Sequence, residues 1–199
     1  DELGFAGNMD DYYDPRNSFL NEVMDRKTGI PISLSVLYIE VARRVGLDAA
    51  GMNFPGHFLT RVGEDPIIVD AFEGRVATPR ECKTRLVAAL GTNAEVSPAL
   101  LAPADNKPIL LRMLSNLKSI YASQQAFEAA LACCDRCLLL APDAPLELRD
   151  RGLMYHRLDC VRPALMDLEH YLELDPAGEG ADAIRTLVGQ LHQRMPVIH

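Results

Sequence analysis

The side chains that could carry chemistry are few and scattered. Five cysteines, Cys82, Cys133, Cys134, Cys137 and Cys160, stand among 199 residues. Cys134 and Cys137 have the C-x-x-C spacing of a redox or zinc pair, but no second pair and no nearby histidine completes a ligand set. The pair falls within a helical pattern, where cysteine serves as a small packing residue. The odd count, with no signal segment at the start, fits a reducing cytoplasm. The acids near the start (Asp1, Glu2, Asp10, Asp11 and Asp14) lack the D-x-D-x-D-G order of a calcium loop and read as a solvated face. The H-x-x-x-H spacing of a metal-dependent hydrolase is also missing. Neither a metal nor another cofactor is expected.

Composition narrows the partners. The net charge is −8, and the acidic excess is spread over both halves, so neither half offers the basic footprint of a nucleic-acid binder. Apolar residues make up 48% and charged residues 24%, ordinary for a globular protein. No apolar run approaches the roughly 18 residues that span a bilayer, so no membrane partner is expected. The first residue is Asp1 rather than Met, which points to a fragment with sequence missing upstream.

The elements that must position any site follow from the hydrophobic pattern. Residues 17–25 read as a helix with Phe19, Leu20 and Val23 on one face. Thr28-Gly29-Ile30-Pro31 breaks that pattern. A second helix is expected from Ser33, as its N-cap, to Val45, with Gly46 ending it. Its apolar residues run almost all round, which predicts burial on every side. Strands follow at 48–54, 57–62 and 67–72, with Gly63-Glu64-Asp65-Pro66 as a hairpin turn. Asp105-Asn106-Lys107-Pro108 reads as the start of a linker.

Beyond that linker the chain repeats itself at an offset of 34 residues: Tyr121 falls on Tyr155, Ala130 on Ala164, Leu138 on Leu172 and Pro142 on Pro176. That is the tetratricopeptide period. Each unit is expected to be two antiparallel helices. Ala130 and Ala164 allow close approach, Tyr121 and Tyr155 fill the space between helices, and Pro142 and Pro176 stop the second helix. Gly152 sits where a side chain would not fit, and Lys118 occupies that place in the first unit. Ile184, Leu187, Val188 and Leu191 mark residues 181–194 as an amphipathic capping helix.

Three stretches carry a family resemblance: Asn17-Ser18-Phe19-Leu20-Asn21-Glu22-Val23; Gly29-Ile30-Pro31-Ile32-Ser33-Leu34-Ser35-Val36-Leu37-Tyr38; and Gly51-Met52-Asn53-Phe54-Pro55-Gly56-His57-Phe58. Together they resemble the SirB-type proteins, which join a transglutaminase-like domain to tetratricopeptide repeats. The resemblance spans essentially the whole chain and implies a bacterial protein that carries a helical segment ahead of this point. It also implies a Cys, His and Asp site in which the Cys opens a buried helix and His and Asp lie on adjacent strands. His57 and Asp70 match the last two places. With the helix's closing glycine on Gly46, the nucleophile's place falls on Pro31, which has no nucleophile. Ser33 and Ser35 are the nearest hydroxyls; Ser33 either faces the cleft or simply caps its helix. His57 is either a ligand-contacting group or a remnant bonded to Asp70. Cys82 has no motif to place it there.

The sequence thus predicts an α+β, transglutaminase-like or papain-like domain at 1–106. An all-α tetratricopeptide domain follows at 107–199, with repeats at 111–142 and 145–176 plus the capping helix. The expected function is a non-catalytic adaptor or regulator that binds a protein or peptide in its repeat groove. The rival is an acyl-transfer or amide-hydrolysing enzyme that uses His57 and Asp70 with a nucleophile other than Cys.

Overall fold

Close packing at Gly29 and a proline at the next helix start set the local geometry of the N-terminal unit. A Cβ at Gly29 would lie 2.8 Å from the Ser33 hydroxyl and 3.1 Å from Leu34 and Val23, so only glycine fits there. Helix α1 (Leu20–Arg26) runs into this point and α2 (Pro31–Arg44) leaves it. The computed structural model describes residues 3–65, 67–91, 100 and 102–195; Asp1, Glu2 and Pro66, named above, lie outside it. The chain divides into two units, Asp1–Met113 and Leu114–His199.

Helix α1 starts later than the pattern suggested, because a 3-10 turn at Pro15–Ser18 precedes it. Asp14 caps that turn by accepting the Arg16 N–H at 2.9 Å. Asp14 is therefore not a solvated acid. It is buried and ion-paired with Arg16 at 2.7 Å and Arg26 at 3.2 Å. The hydrogen bond from Arg16 leads the interactions that hold its carboxyl below the usual range. Of the three expected face residues only Val23 is enclosed; Phe19 and Leu20 are exposed.

Helix α2 also departs from expectation. It begins at Pro31, two residues earlier, since proline's fixed φ and missing N–H suit the first helical position. Ser33 is thus not the N-cap but the third residue of the helix, and Ile30 holds the cap position. Its hydroxyl accepts the Ile30 N–H at 3.1 Å and donates to the Asn17 carbonyl at 2.6 Å. Nor is the helix buried all round. Its first five residues are enclosed, whereas Tyr38, Val41 and Val45 are exposed. Leu34, Leu37, Tyr38 and Val41 face Val69, Ala71 and Val76 across an open apolar hollow of about 600 Å³. Gly46, at φ +81, ends the helix as expected.

Strands β1 (Ala6–Gly7) and β2 (Thr28–Gly29) pair in parallel. Strands β3 (Ala49–Met52), β4 (Leu59–Val62), β5 (Ile67–Asp70) and β6 (Arg75–Val76) form an antiparallel meander in chain order. One face packs on α2 through Phe58 and Val62 with Ile30, Ile32 and Ile39. The other packs on α3 (Pro79–Leu90) through Met52, Phe54 and Leu59 with Cys82 and Leu86.

Helix α4 (Asn106–Ser123) contains both the expected linker and the first repeat helix. Its opening turns belong to the first unit, where Ile109 and Met113 pack on the α2 core. The division between units consequently falls at 113–114 rather than at 106–107. The remaining helices are α5 (Phe127–Leu140), α6 (Pro145–Arg157), α7 (Val161–Leu174) and α8 (Ala181–Arg194). The 34-residue period is geometric as well as chemical. Gln125 and Asp159 are both left-handed at φ 59. The bond from Ala126 N–H to the Tyr121 carbonyl recurs from Cys160 to Tyr155, each at 2.9 Å. Helix α8 coincides with the expected cap and buries Ile184 and Leu191. Among the described residues no helix is long and apolar enough to cross a membrane.

Within the repeats, a Cβ on Gly152 would meet Leu168 at 2.7 Å, which explains the glycine. Lys118, its counterpart, instead reaches Glu147 at 2.8 Å and Asp150 at 2.7 Å. Burial alone would lower the affinity of that ammonium for its proton, but Asp150 and Glu147 outweigh it and raise its pKa. Gly152→Leu should lower stability by about 1–3 kcal/mol through overpacking. Thermal denaturation checks this, and an unchanged midpoint would show that the close approach is not needed.

Candidate functional site

Phe54-Pro55-Gly56-His57 forms a tight turn closed by the His57 N–H on the Phe54 carbonyl at 3.2 Å. Proline in the second place and Gly56 at φ +69 in the third are the type II arrangement, and this is why Pro-Gly precedes the histidine. His57 therefore stands in the turn, not within a strand as the sequence suggested; β4 begins only at Leu59. The pairing of Thr60 with Val69 carries Leu59 opposite Asp70, the last residue of β5. The turn then folds His57 back, so that its Nε2 lies 3.0 Å from Asp70 Oδ2.

Asp70 is fully enclosed. Its Oδ1 accepts the backbone N–H groups of Phe72 at 3.0 Å and Glu73 at 3.1 Å. Its Oδ2 meets His57 Nε2 and, at 2.7 Å, Arg85 Nη1. Burial by itself would push this carboxyl up. The hydrogen bonds from His57 and the Glu73 N–H, with the charges of His57 and Arg85, outweigh burial and hold it well below the ordinary carboxylate range. Arg85 extends its other arm to Glu73 at 2.5 Å. The His57 ring stands edge-on to Phe72, with centroids 6.4 Å apart.

Arg85 and its helix were not anticipated from the pattern. The available signal was Thr78-Pro79-Arg80-Glu81, a capping box with proline at the first helical position. The Thr78 hydroxyl accepts the Glu81 N–H at 3.3 Å, and the Glu81 carboxylate accepts the Thr78 N–H at 2.7 Å. These bonds, with Arg75, hold Glu81 down to about 2. The cap fixes where α3 starts and hence where Arg85 reaches the sheet.

The groups that could act as nucleophile are disposed otherwise. Pro31 is buried at the start of α2. Ser33 is enclosed, with its hydroxyl engaged by Ile30 and Asn17. Ser35 is enclosed too and has no hydrogen-bond partner among the described residues. Cys82 lies in the core under β3 and β4, where burial pushes its thiol up. Cys133, Cys134 and Cys137 are buried in α5, and burial pushes Cys134 and Cys137 up to about 12. Among the described residues no group of three or more His, Cys, Asp or Glu side chains is placed to hold a metal.

Over residues 1–115 the chain matches the transglutaminase-like superfamily, and over residues 117–189 the tetratricopeptide repeat. It is 46% identical over 190 residues to the UPF0162 protein of Xylella fastidiosa (strain Temecula1), which covers 92% of this chain and 68% of that protein. It is 34% identical to the UPF0162 protein of Vibrio cholerae and 26% identical to protein SirB1 of Salmonella typhimurium; each alignment covers 100% of this chain and 75% of the relative. The chain belongs to the SirB-type family. In this SirB-type chain the fold is α+β: a transglutaminase-like domain, then tetratricopeptide repeats.

Two predictions follow from the geometry. Ser33→Ala removes the donor to the buried Asn17 carbonyl and should cost about 1–3 kcal/mol, read from urea unfolding; no loss would show the bond to be dispensable. Asp70, with its folded pKa depressed, stabilises the fold fully above its unfolded value of about 3.9 and loses that contribution as pH falls below it. Asp70→Asn should therefore flatten the loss of stability below about pH 4. Equal acid slopes in the two proteins would refute the coupling.

Proposed function

We propose that this SirB-type chain is a cytoplasmic adaptor or regulator that binds a protein or peptide through its repeats. Its transglutaminase-like unit no longer performs thiol acyl transfer. The observation that carries the reading is Pro31 at the first position of α2, where the family resemblance puts the nucleophile. The nearby hydroxyls do not replace it, since Ser33 and Ser35 are both enclosed. Tetratricopeptide arrays build extended surfaces for protein partners, which supports the choice of partner.

A second reading keeps the site as an acyl-transfer or amide-hydrolysing centre with a nucleophile other than Cys. What favours it is the intact pair of His57 and Asp70 at 3.0 Å.

Incubation with a glutamine-containing peptide and a primary amine should give no amide exchange above the uncatalysed rate. Robust exchange that His57→Ala abolishes would replace the adaptor with the enzyme. In capture from producing cells, the full chain should retain a partner that a chain ending at Met113 does not. Equal capture by both would remove the repeats from the binding role.

A further inference from the structure

Strand β5 is apolar on both faces, and the two faces are covered unequally. Alternation along the strand sends Ile68 to the α3 side, where it packs on Met52, Leu59 and Leu86, and Val69 to the α2 side. Helix α2 covers that second face over β3 and β4, through Ile39 and Ala42 on Ala49 and Val62. Val69, and Val76 opposite it in β6, lie beyond this cover. They form one wall of the hollow of about 600 Å³, and Leu37, Tyr38 and Val41 of α2 form the other. Val41 and Val76 are each 57% exposed. A contiguous apolar surface left in water is the usual mark of a binding site, since burying it is favourable.

The lining sets the chemistry of the occupant. The volume lies within the roughly 300–1,000 Å³ of small-molecule sites. Arg75 is the one charged residue in the lining, and Glu73 and Glu81 both hold its guanidinium. An anion therefore finds its cation already neutralised, with two carboxylates beside it. The net charge of −8 adds a longer-range field that repels an anion. A cation finds no carboxylate in the lining, and Glu40 on α2 is taken up by Arg43 and Arg44. The Tyr38 hydroxyl is the one uncharged polar side-chain group there. It makes no hydrogen bond to a described residue, so it is available to a ligand oxygen.

We propose that this hollow binds a small uncharged amphiphile, an aliphatic chain that carries a single hydroxyl or carbonyl oxygen. The chain lies between α2 and the β5–β6 end of the sheet, and its oxygen meets Tyr38. Asp70 points to the other face of β5 from Val69, so this site is separate from the His57 pair. It stands whether or not the repeats bind a protein.

Titration of the full chain with decanol, followed in methyl proton–carbon spectra, tests this. The methyl signals of Leu37, Val41, Val69 and Val76 should shift and saturate. Those of Leu139, an 82% exposed leucine of the repeats, should not. Decanoate and decyltrimethylammonium, below their micelle concentrations, should bind about tenfold more weakly or worse, since each would strand a charge against apolar walls. Val41→Asp and, from the opposite wall, Val76→Asp place a carboxylate in the hollow at exposed positions that the fold tolerates. Each should weaken decanol by about tenfold or more while the thermal midpoint stays near that of the wild type. Tyr38→Phe should weaken decanol by roughly two- to tenfold, the worth of one net hydrogen bond.

Shifts spread over Leu139 as well, equal binding of all three amphiphiles, or decanol binding indifferent to both Asp variants would overturn the proposal. So would a failure of decanol to bind. Sedimentation that showed a dimer dissociated by Val41→Asp, with no decanol bound, would give the hollow to a second copy of the chain instead.

Discussion

The Asp70 carboxylate is the joint of the N-terminal unit. It is enclosed and charged, hydrogen-bonded to the turn before β4 and the turn after β5, and ion-paired with Arg85 of helix α3. An uncompensated buried charge is too costly to persist, so each of those elements must be in place for the carboxylate to remain ionised. That requirement explains much of the local architecture. The type II turn at Pro55–Gly56 exists where His57 has to come back to the end of β5. The capping box at Thr78 fixes the start of α3 and so the reach of Arg85.

A second buried polar network does comparable work at the start of α2. Asn17 is enclosed; its side chain accepts from Asn8 at 3.0 Å and donates to the Asp11 carbonyl at 2.7 Å, while its own carbonyl accepts from Ser33. The N-terminal loop, the 3-10 turn and α2 are thereby tied together. Ser33 is consumed by that structural duty, and this is the physical ground for setting it aside as a nucleophile. Pro31 belongs to the same logic, since a proline opens a helix well and offers no reactive atom.

The repeat unit is organised differently. Its core is a run of apolar side chains from successive helices, among them Leu138, Leu148, Leu168 and Tyr171. Charges then set which helix faces which. Arg151 holds Asp167 in a two-pronged pair at 2.7 and 2.8 Å and Asp135 at 3.0 Å, while Lys118 spans Glu147 and Asp150. Lys118 departs from the repeat pattern because it trades the close approach that Gly152 permits for this ion pairing.

The repeats, their period, the capping helix and the three main strands were legible in the amino-acid order. Each of those features is encoded by spacing along the chain, and helical and strand periodicity are local properties. The same holds for the glycine that ends α2. What the order of residues left open depended on distant contacts. Ser33 read as a helix cap because a hydroxyl near a helix start usually is one; its bond to Asn17, 16 residues away, shows only in the fold. Tyr38 and Val41 read as buried because apolar residues surround the helix, yet among the described residues only one side of α2 is covered at that end. His57 and Asp70 could be paired by resemblance, but Arg85 could not, since nothing local to α3 says which strand end it meets.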